Sequence, residues 1–286
     1  MNWQSALILS IVFAVIRGFL EKKLVAKVPP FLTFFYVVFW STIIFLIFYF
    51  IRHFSLPVVY PEMMLLGILF AFGYGSFLEA MKINLSQSVI AASFYLLIPL
   101  VLSVFYLSEW KLFDPMTLVG QKNIIGILLT FVSMYMFVKQ DKKKGIINNK
   151  WLFFMIVDVI LVGIGTFWGK TFIDSHGPLE TLISQSLGGL PVLFIINVLK
   201  KENFKIGNFN QILAVIDGLV IVGTVTFFYV ALKNGPLSVV LPIQTLVITI
   251  AITLVGLFAF KEAQNMTRRK IAGMVLGILG VVLLMI

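Results

Sequence analysis

Charged side chains are rare within long apolar stretches, yet this chain places Arg17, Glu21, Glu79, Asp158 and Asp217 there. Arg17 and Glu21 stand four residues apart, on one helical face with Ser10 and Phe13. A guanidinium can bond two oxygens at once, so Arg17 is a candidate anchor for a carboxylate or other anionic group. Glu79 and Asp217 are candidates for holding an amine or carrying a coupled proton. Asp158 has a weaker claim, because it lies early in its stretch, towards the interface. Tyr74, Tyr95, Trp168, Thr224, Tyr229, Gln244 and Thr245 could complete a site, since small-ligand pockets combine an apolar wall with a few orienting polar groups. Tyr95 stands out, because Pro99 four residues later frees a backbone carbonyl and can bend the helix. Each of these residues also has a plainer reading. Arg17 and Glu21 can be an ion pair that fixes packing. Tyr and Trp populate interfacial belts, and Thr commonly bonds its own helix.

Other chemistries are excluded or unsupported. There is no cysteine, hence no thiolate metal site and no cysteine nucleophile, and the two histidines, His53 and His176, fall near expected helix ends. No HExxH, GxSxG or zinc-spaced ligand set occurs, and no cofactor is expected. The run IGTFWGKT at 164–171 nearly matches a phosphate-binding loop, but its first glycine is Ile164 and no strand precedes it. The glycosylation-type triplets at Asn84 and Asn265 are too common to interpret.

The elements that must position these residues follow from composition. Of 286 residues, 60% are apolar and only 12% charged, with a mean hydropathy of +1.05. A soluble domain carries about a quarter charged residues, so here the apolar surface must face lipid. A helix needs about 20 apolar residues to cross the hydrocarbon. Ten segments qualify: 3–22, 31–51, 62–81, 87–107, 116–138, 151–173, 179–199, 210–232, 237–260 and 268–286. Short connections link them, so the activity is expected within the bilayer. Residues 1–10 lack the basic start of a cleavable signal.

The chain repeats itself. Trp3, Lys22 and Pro30 recur as Trp151, Lys170 and Pro178, each 148 residues later. Ala80-Met81-Lys82 recurs as Ala231-Leu232-Lys233, Ser88 as Ser238, and Glu109 and Gly120 as Glu262 and Gly273. The expected fold is therefore an all-α integral membrane protein of ten transmembrane helices. It divides into two five-helix repeats at 1–138 and 151–286, joined by a basic linker at 139–150. Five is odd, so the second repeat enters the membrane inverted, an architecture associated with secondary transporters. Gly165/Gly169 and Gly273/Gly277 have the spacing for close helix contact.

Ten helices in two sets of five, with SQSVIAASFYLLIPLVLSVFYLSE in the fourth segment, resemble the drug/metabolite transporter superfamily of the EamA type. The resemblance rests on the small residues early in that segment, Pro99 at its middle, Glu109 at its end, and Gly120 and Gly126 in the next. In the second half Glu262, Gly273, Gly277 and Gly280 match, while Pro242 stands near the start of its segment. The resemblance implies a carrier of small metabolites, commonly an exporter. It also implies a central cavity lined by the first, third, fourth, sixth, eighth and ninth segments.

The expected function is secondary active transport of an amino acid or related zwitterionic solute, by alternating access, in the cytoplasmic membrane. Expected partners are the small-molecule substrate, membrane lipid and coupled protons, with no nucleic acid, and the chain acts as a monomer or homodimer. An intramembrane enzyme working on a lipid-linked substrate, or a channel or scaffold, are the alternatives. Sixteen of the 22 Lys and Arg adjoin the connections after the odd-numbered segments, against Arg52, Lys111, Lys170 and Lys233 on the other side. Positive-inside counting then places both ends of the chain outside the cytoplasm, whereas the family usually has them inside.

Overall fold

The computed structural model describes residues 1–83, 85–138, 149–259 and 268–285. Helix dominates and no strand occurs among these residues. The elements are α1 (Trp3–Val25), α2 (Pro30–His53), α3 (Pro61–Ile83), α4 (Leu85–Ala92), α5 (Leu97–Tyr106), α6 (Leu118–Val138), α7 (Asn149–His176), α8 (Pro178–Leu199), α9 (Asn208–Asn234), α10 (Leu237–Ala259) and α11 (Arg268–Met285). Among the described residues, seven helices are long and apolar enough to cross a membrane, and shorter apolar helices lie at Ser93–Tyr106, Leu118–Ser133 and Ile271–Met285. The chain is thus an all-helical, multi-pass membrane protein. Within the ten expected segments the described residues are helical except Leu107, Met116 and Thr117. Most of the expected linker, Glu262, Asn84 and Asn265 lie outside the described residues.

Local chemistry sets the boundaries. The Asn2 side chain accepts from the Ser5 amide at 2.9 Å and starts α1. Pro30 and Pro178 occupy the first helical positions of α2 and α8, where the missing N–H is harmless. Glu109 does not pair with a basic residue among the described residues. Instead its two oxygens accept the Leu237 and Ser238 amides, each at 2.9 Å, and cap α10. A carboxylate there satisfies orphan donors and suits the positive end of the helix.

The fourth segment is interrupted. Residues Ser93–Leu96 form a 3₁₀ turn between α4 and α5, just before Pro99. Proline cannot donate to the carbonyl four residues back, that of Tyr95. Gly163 of α7 lies against that carbonyl: a Cβ on Gly163 would stand 2.9 Å from it. Pro242 sits inside α10, which stays continuous.

Packing brings together helices far apart in sequence. α1 lies along α9, α3 along α7 and α8, α2 against α8 and α9, and α6 along α11. The α3–α8 contact is backbone on backbone, because a Cβ on Gly67 would lie 1.9 Å from the Gln185 carbonyl oxygen and 2.5 Å from the Gly189 nitrogen. The glycines expected to permit close contact serve packing within the chain. Gly165 meets the Phe70 ring, Gly277 meets Ser133, and the Gly273 carbonyl accepts from the Ser133 hydroxyl at 2.7 Å. The α1–α2 connection, the end of α3 and the α8–α9 connection gather at one end of the bundle. There Lys27 stands over Phe209, the Tyr36 hydroxyl donates to the Phe204 carbonyl, and Lys200 pairs with Glu79 at 2.7 Å. At the other end the Tyr60 amide donates to Ser184 Oγ at 3.1 Å, and His176 packs on the Tyr60 ring.

Gly67→Ala forces α3 and α8 apart and is expected to destabilise the fold by about 1–3 kcal/mol, as overpacking does. Gly169→Ala, whose Cβ would meet only the Tyr229 hydroxyl at 3.5 Å, is expected to leave stability unchanged or slightly raised. Thermal unfolding of the two purified variants in detergent checks this; equal melting temperatures would contradict it.

Candidate functional site

A cavity of about 280 Å³ lies inside the bundle. Its walls come from all six segments that the resemblance implied, and α2 and α8 add Phe34 and Gln185. Five long helices each present a stripe to it: Ala14, Arg17, Gly18 and Glu21 from α1; Phe70, Tyr74, Phe77 and Met81 from α3; Asp158, Val162 and Thr166 from α7. α9 contributes Ile221, Thr224, Val225, Phe228, Tyr229 and Leu232, and α10 contributes Gln244, Thr245, Ile248, Thr249 and Ile252. Steps of three and four residues put such side chains on one helical face.

The charged part of the wall is a linked cluster. Arg17 Nε donates to Glu21 Oε1 at 2.8 Å, and the Tyr74 hydroxyl donates to Glu21 Oε2 at 2.6 Å. The Tyr74 ring centre lies 4.4 Å from the Arg17 guanidinium carbon, within cation–π range. Both Glu21 oxygens are thereby bonded and the residue is buried. The two terminal amino groups of Arg17 have no hydrogen-bond acceptor among the described residues, and Arg17 lines the cavity. Asp217 is fully buried, one helical turn before Ile221 and behind the lining. It lies within electrostatic reach of Arg17 and Glu21, and neither carboxylate oxygen has a hydrogen-bond partner among the described residues.

Neutral side chains tie the walls together. Gln244 Nε2 donates to Ser10 Oγ at 3.0 Å, and Ser10 Oγ donates to the Thr224 carbonyl at 2.9 Å, joining α10, α1 and α9. The Thr224 hydroxyl bonds its own helix at the Val220 carbonyl, 3.0 Å away. The Tyr229 hydroxyl donates to Gln185 Oε1 at 2.6 Å, and the Tyr95 and Thr245 hydroxyls lie 3.2 Å apart.

Of the side chains singled out in the sequence, Arg17, Glu21, Tyr74, Tyr95, Thr224, Tyr229, Gln244 and Thr245 meet on this wall. Glu79 and Trp168 do not. Glu79 bonds Lys200 at the basic end of the bundle, and Trp168 is 44% exposed on the outer surface. The reason is helical phase. Glu79 lies two residues from both Phe77 and Met81, and Trp168 two residues from Thr166, about 200° around the helix from the lining stripe. Asp158, expected near the interface, lines the cavity and is only 3% exposed. Gln185 went unnoticed because the resemblance did not place its segment on the cavity. A polar amide within an apolar span must face protein, and that signal was present. His53 stacks on Tyr49 and His176 packs against Tyr60, both away from the cavity. Among the described residues no group of three or more His, Cys, Asp or Glu could hold a metal. The arrangement can recognise an oxyanion through Arg17 and a cation through Asp158, within a largely apolar enclosure.

Residues 149–286 match the sequence profile of the EamA-like transporter family. An uncharacterized protein of Methanocaldococcus jannaschii is 32% identical over 130 residues, which are 44% of this chain and 90% of that one. A solved crystal structure superposes with a TM-score of 0.71, covering 98% of this chain and 96% of its own at 15% identity, and so shares the fold. By this match, the second half of the chain, residues 149–286, belongs to the EamA-like transporter family of the drug/metabolite transporter superfamily.

Proposed function

We propose that this protein is a secondary active transporter that exports a small polar or zwitterionic solute, such as an amino acid, across the cytoplasmic membrane by alternating access. The family consists of membrane transporters of small solutes. Arg17 carries the reading: inside an apolar bundle it lines a cavity with two donor groups that the described protein does not use. An intramembrane arginine costs about 2.5–3.5 kcal/mol even on lenient scales, and an anionic substrate group would make it worthwhile. Glu21 and Tyr74 hold the guanidinium in place. Asp217, within reach of the same cluster, is the residue we assign to a coupled proton.

Alternating access rests on two inverted five-helix units, 1–138 and 151–286, which we propose from equivalent contacts. The Lys22 ammonium donates to the Met81 carbonyl at 3.4 Å, and the Lys170 ammonium to the Leu232 carbonyl at 2.6 Å. The lysines are 148 residues apart and the carbonyls 151. A Cβ on Gly67 would meet the carbonyl of residue 185 and the amide of residue 189; one on Gly218 would meet the carbonyl of Val37 and the amide of Ser41, 148 positions earlier. Tyr95 and Thr245, 150 residues apart, bond each other, as equivalent residues do beside a twofold axis. A relative of about half this length fits the same duplication.

Arg17→Gln and Asp217→Asn are each expected to lower solute flux in proteoliposomes about tenfold or more, the value of one charge-assisted bond, with little change in melting temperature. Normal flux in both variants would make these residues packing groups; loss of folding in both would do the same. The orientation is tested separately. The chain has no cysteine, so a single cysteine at Asn203 reports the basic end and one at Asn234 the other. With the basic end in the cytoplasm, a membrane-impermeant maleimide labels Asn234→Cys in intact cells and leaves Asn203→Cys unlabelled; the reverse pattern would invert the topology.

A further inference from the structure

The cavity has two charged poles on different walls. Arg17, Glu21 and Tyr74 form one, on α1 and α3 with Asp217 of α9 behind them. Arg17, Glu21 and Asp217 influence one another electrostatically. Asp158 belongs to α7, which packs on α3 and on the 3₁₀ turn at Ser93–Leu96, whereas α1 packs on α9 and α10. The Tyr95 hydroxyl feels the Asp158 charge and is engaged with Thr245. Asp158 has no hydrogen bond or ion pair among the described residues, although it is 3% exposed and lines the cavity. Lys170, further along α7, is committed to Asp174 and to the Leu232 carbonyl. Phe34, Phe70, Phe77 and Phe228 supply apolar wall to the same cavity.

An unpaired carboxylate in a bilayer calls for a cation. We propose that Asp158 binds the ammonium group of the substrate, and that the substrate is an extended zwitterion. Its oxyanion sits on Arg17, its primary ammonium on Asp158, and an unbranched apolar chain spans the aromatic wall between them. This rests on the reading of the cavity as a substrate site and narrows it. An α-amino acid with a neutral side chain carries its two charges about one carbon and meets one pole; an ω-amino acid of several methylenes meets both. The volume of about 280 Å³ lies near the lower end for small-ligand sites, which favours a slender chain over a bulky one.

Calorimetric titration of the purified protein tests this with glycine, 4-aminobutyrate, 6-aminohexanoate and 8-aminooctanoate, alongside hexanoate and hexylamine. Affinity is expected to rise with chain length to an optimum. At that optimum the zwitterion binds about tenfold or more tighter than glycine, and than the analogue lacking either charge, because each pole contributes a charge-assisted bond. Asp158→Asn removes the advantage over hexanoate while hexanoate binding persists. Asp158→Glu keeps the charge and extends it by one methylene, so the optimum moves to a shorter chain; a merely structural aspartate would not produce that shift. Binding independent of length, α-amino acids binding as tightly as the extended series, or an unmoved optimum in Asp158→Glu would each overturn the proposal. Flux in proteoliposomes separates this from the transport reading. Binding with the expected length dependence but no flux refutes transport alone, whereas flux of α-amino acids with no length dependence refutes the extended-zwitterion site alone.

Discussion

A polar atom within the hydrocarbon of a membrane has no water to turn to, so its partner must come from the protein. Most polar groups in this bundle are answered locally. The hydroxyls of Thr42, Thr130, Thr166, Thr181, Thr249 and Thr253 each donate to the carbonyl four residues back in the chain. Others act between helices. Asn197 Nδ2 reaches the Phe31 carbonyl at 3.1 Å, Gln244 reaches Ser10, and Lys170 reaches Leu232. Once these are assigned, the charged groups with capacity to spare around the cavity are the Arg17 amino groups, Asp158 and, just behind the wall, Asp217. Function is read from that remainder, because unsatisfied polarity in an apolar setting is expensive to keep.

Where these groups can stand depends on how closely the backbones approach. Lipid tails are as apolar as leucine, so helix association in a membrane relies on tight packing and interhelical hydrogen bonds. Gly67 lets α3 touch the backbone of α8, and Gly218 lets α9 approach α2. These contacts hold Tyr74, Thr224 and Gln185 around one space. The 3₁₀ turn before Pro99 has a related effect. It interrupts the fourth segment beside Gly163 and carries Tyr95 to Thr245 of α10, so a break in regular helix bridges the two halves of the chain at the cavity wall.

The repeated residues acquire a physical meaning through these contacts. Lys22 and Lys170 are each the partner of a carbonyl on the third helix of the same half, at Met81 and Leu232. Trp151 donates its indole N–H to Ser88 at 2.9 Å, and Trp3 lies against Gly235 just before α10. Counted by the same 148-residue offset, Arg17 and Glu21 fall on Gly165 and Gly169, so the Arg17–Glu21 ion pair has no counterpart there.

How much was legible in the sequence follows from which properties are local. Hydropathy summed along the chain located the helical segments, and Pro30, Pro61 and Pro178 mark starts because a proline at the first turn loses no helical bond. The Arg17–Glu21 pair was legible too, since four residues separate neighbours on a helix face. Which way each helix faces was not. In water, an apolar stripe reveals the buried side of a helix, but in lipid both sides are apolar and the stripe vanishes. Glu79 and Trp168 therefore read as well as Tyr74 and Gln244 did, while Asp158 and Gln185 read worse. Only packing against α3, α9 and α10, which set the rotation of each helix about its axis, decided which of them meet the cavity.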